Sequence, residues 1–197
     1  MPLRAEYDSG QAFPIYITVV AGLLFLALAY LAVGQAAVNR NGAQTAADAA
    51  ALAAAQEARD QLAGQWLNDV LDPAKWQDVF DGKAHIDDPC WRAGQLAAQN
   101  DARLNACDSP RLLSYQVEVE ANKSVGDSVV PGTEDIRSTE SATAVIEPLC
   151  TFDLPGEDTG GEELPRLTCK GRDWDLEPDD HAGLPNAEDL FDVHLTD

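Results

Sequence analysis

The chain has 197 residues and a formal charge of −21, from 13 Lys and Arg against 34 Asp and Glu. That balance argues against nucleic acid, whose phosphates need cations opposite them, and against electrostatic docking on anionic lipid. Hydrophobic residues make up 45% while the mean hydropathy is −0.23, so apolar residues are segregated, and many of them are alanine.

Residues 13–33 read FPIYITVVAGLLFLALAYLAV without a charge; the flanking charges are Asp8 and Arg40. A helix of about 21 residues at ~1.5 Å each spans roughly 31 Å, the thickness of a bilayer core. Pro14 sits where a first helical turn tolerates it. Tyr16 and Tyr30 lie near the two ends, where amphipathic rings favour the headgroup level. The expected layout is a tail over 1–12 and a transmembrane helix over 13–34. Ala27-Leu28-Ala29 offers a leader-type cleavage site, but Glu6 and Asp8 offset the positive end that a leader needs, so a retained anchor is expected. One arginine on each side leaves the orientation undecided by charge. The downstream cysteines decide it, because paired cysteines belong outside the reducing cytosol. The N-terminus is then cytoplasmic and the C-terminus extracytoplasmic.

Residues 35–72 read as an Ala-rich exported helix, since alanine is the best helix former. Asn39, Asn41 and Gly42 mark a weak spot where a bend is expected. Ala46, Ala50, Ala54 and Ala58 form one i, i+4 stripe, and Ala43, Ala47, Ala51 and Ala55 form another. Such stripes admit the close approach of another backbone. A partner helix, self-association and a plain stalk are all compatible with them. Asp72-Pro73 is the expected stop.

Gly10-Gln11, the apolar span, and then Asn41-Gly42-Ala43-Gln44-Thr45-Ala46-Ala47-Asp48-Ala49-Ala50-Ala51-Leu52 together resemble the start of Tad/Flp pilus-assembly proteins of the TadE/TadG-like type. The resemblance covers about residues 9–60. It implies a non-catalytic, membrane-tethered exported component that works with pilus or secretion machinery. Prepilins of related type are cut after a glycine and carry glutamate at the fifth position beyond it. Here that position holds Ile15, so the resemblance is to a tethered TadG-like protein rather than a cleaved pilin. The region from Cys90 onward loosely resembles actinobacterial members of the group.

Residues 85–149 read as a small α+β region. A helical face of Ala93, Leu96, Ala97, Asn100 and Leu104 is followed by alternating runs over 115–121 and 140–147, expected strands. Residues 190–195 alternate again, and 166–170 is a candidate fourth strand. Residues 150–197 form an acidic C-terminal region. The fold class expected is α+β: one membrane helix continuing into the Ala-rich helix, then a disulfide-linked domain of one helix and a few antiparallel strands. Cys90, Cys107, Cys150 and Cys169 allow three connectivities. Pairing Cys90 with Cys107 and Cys150 with Cys169 is the expectation. It requires the helix after Cys90 to end near Asn100, because a straight helix over 90–107 would hold its ends about 25 Å apart. Otherwise Cys90 or Cys107 pairs elsewhere. The second bridge would close a loop around the acidic stretch from Pro155 to Glu163.

No P-loop, dinucleotide fingerprint, HExxH or G-x-S-x-G occurs. His85, His181 and His194 are scattered, and no zinc-type spacing is present. The carboxylates from Asp173 to Asp180 offer a weak calcium pattern that Pro178 interrupts, and a solvated run is the simpler reading. Trp66, Trp76, Trp91 and Trp174 read mostly as core or helix-packing residues. No catalytic residue, metal or cofactor is expected. The expected function is that of a membrane-anchored exported assembly component, in contact with lipid through one span and with machinery proteins or itself through the Ala-rich helix. The alternative is an exported, stalked module that binds a surface ligand or calcium.

Overall fold

A computed structural model describes residues 12–124, 135–153, 164–176 and 183–196. Its first element is one helix, α1 (Ala12–Asn68), of 57 residues. At ~1.5 Å per residue it is about 86 Å long. It runs unbroken through Asn39, Asn41 and Gly42, where a bend was expected. The Asn39 side chain and the Asn41 carbonyl are engaged without opening the helix. Asn39 Nδ2 donates to Ser124 O at 2.9 Å, and Thr45 Oγ1 donates to Asn41 O at 2.9 Å. A lone glycine in a helix costs only about 1 kcal/mol relative to alanine, and packing just beyond it offsets that.

The helix ends before the expected stop at Asp72-Pro73. Asp69 N–H is shared between Gln65 O and Trp66 O, and Asp72 N–H bonds Asp69 O. Pro73–Lys75 then form a 3-10 turn that leads into α2 (Trp76–Phe80). The chain reverses at Gly82, whose φ is +70°. A Cβ there would lie 2.6 Å from Cγ and Cδ2 of Leu113. Gly82→Ala should therefore cost about 1–2 kcal/mol from the left-handed backbone alone, read as a lower denaturation midpoint.

Helix α3 (Cys90–Gln99) is shorter than the face read along 93–104. Asn100 Nδ2 folds back onto Leu96 O at 2.8 Å, and Asp101 takes φ 55°. Aspartate tolerates that region better than most residues. The chain turns there into β1 (Ala102–Arg111), so Leu104 lies in a strand, opposite Val119. Next come β2 (Ser114–Ser124), β3 (Arg137–Pro148), β4 (Cys150–Phe152), β5 (Leu167–Cys169), β6 (Arg172–Trp174), α4 (Ala187–Leu190) and β7 (Phe191–Thr196). Strands β1-β2-β3-β7 form one antiparallel sheet in that order, and β4-β5-β6 form a second, smaller one. Asn186 and Asp189 close a capping box on α4 just before β7.

The strands alternate as half-buried strands do. Tyr115, Val117 and Val119 of β2, Ala144 and Ile146 of β3 and Phe191 of β7 are buried, while Gln116, Glu118 and Glu147 face water. Helix α1 packs on β2, β3 and β7, and α3 packs on both α1 and β1. The α+β architecture expected from the sequence is thus present, with the Ala-rich part of α1 at its centre. Ala46, Ala47, Ala50, Ala51, Ala54, Ala55 and Ala58 are all 0% exposed. Methyl side chains on so broad a face let one helix approach a sheet and a second helix at the same time. Bulk enters further along. Trp66, Trp76, Phe80, Phe152 and Phe191 form a chain of rings with centroids 5.3–5.8 Å apart. These rings fill the end of the core that alanine leaves thin.

Candidate functional site

The most unusual surface is the first half of α1. Every residue from 13 to 31 is exposed, including Phe13 at 71%, Leu24 at 60% and Tyr30 at 84%. Water-soluble surfaces rarely carry so large an apolar patch. This is a helix long and apolar enough to cross a membrane, and none of its most apolar stretch is buried within the chain. Membrane association follows from that surface.

The folded domain begins almost immediately after it. Asn39 holds the end of β2 through Ser124 O, and Arg40 Nε meets Glu140 Oε1 of β3 at 2.9 Å. From Val33 to Asn39 is less than two helical turns. The same helix therefore carries the apolar segment and the core alanines with no hinge between them. The stripe Ala46, Ala50, Ala54 and Ala58 is covered by the chain's own elements. The close approach that its spacing admits is made inside the molecule.

Two disulfides brace the domain, and no free cysteine remains. Cys90–Cys107 ties the start of α3 to β1 across a Cα separation of 5.9 Å. The early end of α3 and the turn at Asp101 bring Cys107 back beside Cys90. Cys150–Cys169 joins directly opposed residues of β4 and β5, with Cα atoms 4.0 Å apart. The acidic stretch from Pro155 to Glu163 lies outside the described residues. So do Gly10, Gln11, His181 and the Glu177–Asp180 part of the carboxylate run. Asp173, within that run, accepts from Thr168 Oγ1 at 2.7 Å.

The tryptophans divide by role. Trp66 and Trp76 are fully buried, and Trp76 Nε1 donates to Asp69 O at 3.0 Å. Trp91 is 56% exposed, and Trp174 is half-buried under the Arg172 guanidinium, 4.2 Å from its ring centroid. Burial pushes the Tyr115 hydroxyl above its usual range, with the Asp88 charge adding to it. Hydrogen bonds from Lys75 and then Gln65 hold the Asp69 carboxyl below its ordinary 3.8. A carboxylate with a depressed folded pKa contributes stability above its unfolded value and loses it as pH falls through the folded one. The stability gap between wild type and Asp69→Asn should accordingly be widest above pH 3.8 and close as the solution is acidified below it. Melting temperatures taken across an acid series check this.

Among the described residues, one set of metal-type ligands converges. Glu147, Asp192 and His194 place ligand atoms within 4.8 Å of one another on the solvent face of β3 and β7. The linear sequence hides this set, because Glu147 is remote from the other two. The Asp-x-His alternation at 192–194 was its only local trace.

A membrane-associated α+β protein with a disulfide-braced domain built around its anchoring helix is the class these features define. Residues 10–57 match the Tad family model, Flp pilus-assembly TadE/G-like. The N-terminal region is similar to that family, over less than half of the chain. The match spans the apolar segment and the buried alanines up to Ala55. It aligns that N-terminal part of the chain with pilus-assembly proteins. No curated protein matches the chain, and no solved structure does.

Proposed function

We propose that the protein is a membrane-tethered component of Tad/Flp-type pilus assembly, with its N-terminus in the cytoplasm and its domain outside the membrane. The observation that carries this reading is the exposed apolar half of α1 running without a break into the domain core. The family match over residues 10–57 supports the pilus context. The two disulfides support an oxidising compartment for the domain. Residues 1–12 form the cytoplasmic tail and 13–34 the span. Beyond the span, α1 continues to Asn68 as the centre of the exported α+β domain, whose sheets draw strands from both the 85–149 region and the acidic region of 150–197. With the Ala46–Ala58 stripe covered, the extended apolar surface that α1 offers to machinery proteins or a second copy is its membrane half.

Photo-crosslinkers at Leu24 and Leu28, compared with one at the exposed Gln56, test the reading in cells. Crosslinks to pilus-assembly membrane proteins from the first two positions, in a membrane fraction that resists alkaline extraction, are the expected result. A membrane-embedded chain with no such crosslinks would favour the alternative of an exported binding module.

A further inference from the structure

We propose that Glu147, Asp192 and His194 bind one divalent transition-metal cation of the zinc class across the seam between β3 and β7. The geometry comes from the ladder. Glu147 is directly opposite Asp192, and Val145 is opposite His194, so all three ligands rise from one sheet face. Their ligand atoms lie within 4.8 Å of one another. His194 Nδ1 is already 3.2 Å from Asp192 Oδ2. Both strands are held in register at their Phe191 and Ile146 positions, which are buried on the opposite face. The ligands therefore stand on a rigid base rather than on a loop.

Charge supplies a second observation. Like charges directly opposite each other in a sheet are unfavourable, yet neither Glu147 nor Asp192 has a Lys or Arg partner among the described residues. A bound cation would neutralise that pair. The imidazole selects the metal. Hard calcium and magnesium take oxygen ligands, whereas zinc and its neighbours take mixed nitrogen and carboxylate sets. Three protein ligands leave positions for water or for a group from a partner molecule.

The test uses the full chain in detergent micelles, stripped of metal, titrated with Zn²⁺ alone by calorimetry. One saturable site is expected. His194→Ala should weaken it by about tenfold or more, and Glu147→Gln by severalfold. His85→Ala, at an exposed histidine elsewhere, should leave it unchanged. All three side chains are at least partly exposed, so the variants should fold, and an unchanged metal-free melting temperature establishes that they do. Absence of saturable binding overturns the proposal. So does a site that survives His194→Ala, or one that His85→Ala removes.

Discussion

Truncating Trp76 to alanine is expected to destabilise the domain by about 3–5 kcal/mol. The side chain is fully buried and sits between Trp66 and Phe152, with centroids 5.5 and 5.3 Å away. Its Nε1 also satisfies Asp69 O just past the end of α1, so truncation leaves a cavity and removes a bond that fixes the turn. Domains of this size are stable by only about 5–15 kcal/mol. The loss should appear as a large fall in the denaturant midpoint of the full chain in detergent, followed by near-ultraviolet dichroism. Trp91→Ala, on the exposed side of α3, should change the stability by no more than about 0.5 kcal/mol.

The second large effect is expected from enlarging the alanine face. Ala50 and Ala54 are both 0% exposed, and leucine at either position has nowhere to go without pushing α1 off its neighbours. Overpacking costs about 1–3 kcal/mol per site. The pair lies on adjacent turns, so the double variant should not be strictly additive. A free-standing stalk would give the opposite outcome, since leucine is nearly as good a helix former as alanine. Gln56→Leu, on the exposed side of the same helix, serves as the comparison and should be nearly silent. Equal midpoints for the double variant and for Gln56→Leu would mean that the alanine face is not packed as described.

The α+β class was legible because the strongest strands carry clean alternation. Residues 115–121 and 140–147 fall inside β2 and β3, and 190–195 overlaps β7. β1 was not legible. Its run, ARLNACDSPR, holds few β-formers and follows a helix with no proline or glycine between them. It is a strand because β2 pairs along it, and an edge position accommodates Pro110. The three-residue strands β4 and β6 carry too little pattern to be read at all. The alanine stripes announce a close approach but cannot say what approaches. The polar face that would distinguish a stalk from a core helix is confined to positions such as Gln56 and Asp60. The Glu147–Asp192–His194 set arises only from the β3–β7 register, which no local spacing encodes.

The central claim is that one continuous helix is both the membrane anchor and the centre of the folded domain. Amide hydrogen exchange on the full chain in lipid nanodiscs tests it directly. Slow exchange is predicted over residues 13–33, protected by lipid, and over 43–66, protected to the same degree as β2 and β3. Rapid exchange over 43–66 beside a protected sheet, or over 13–33 in the presence of lipid, would contradict it.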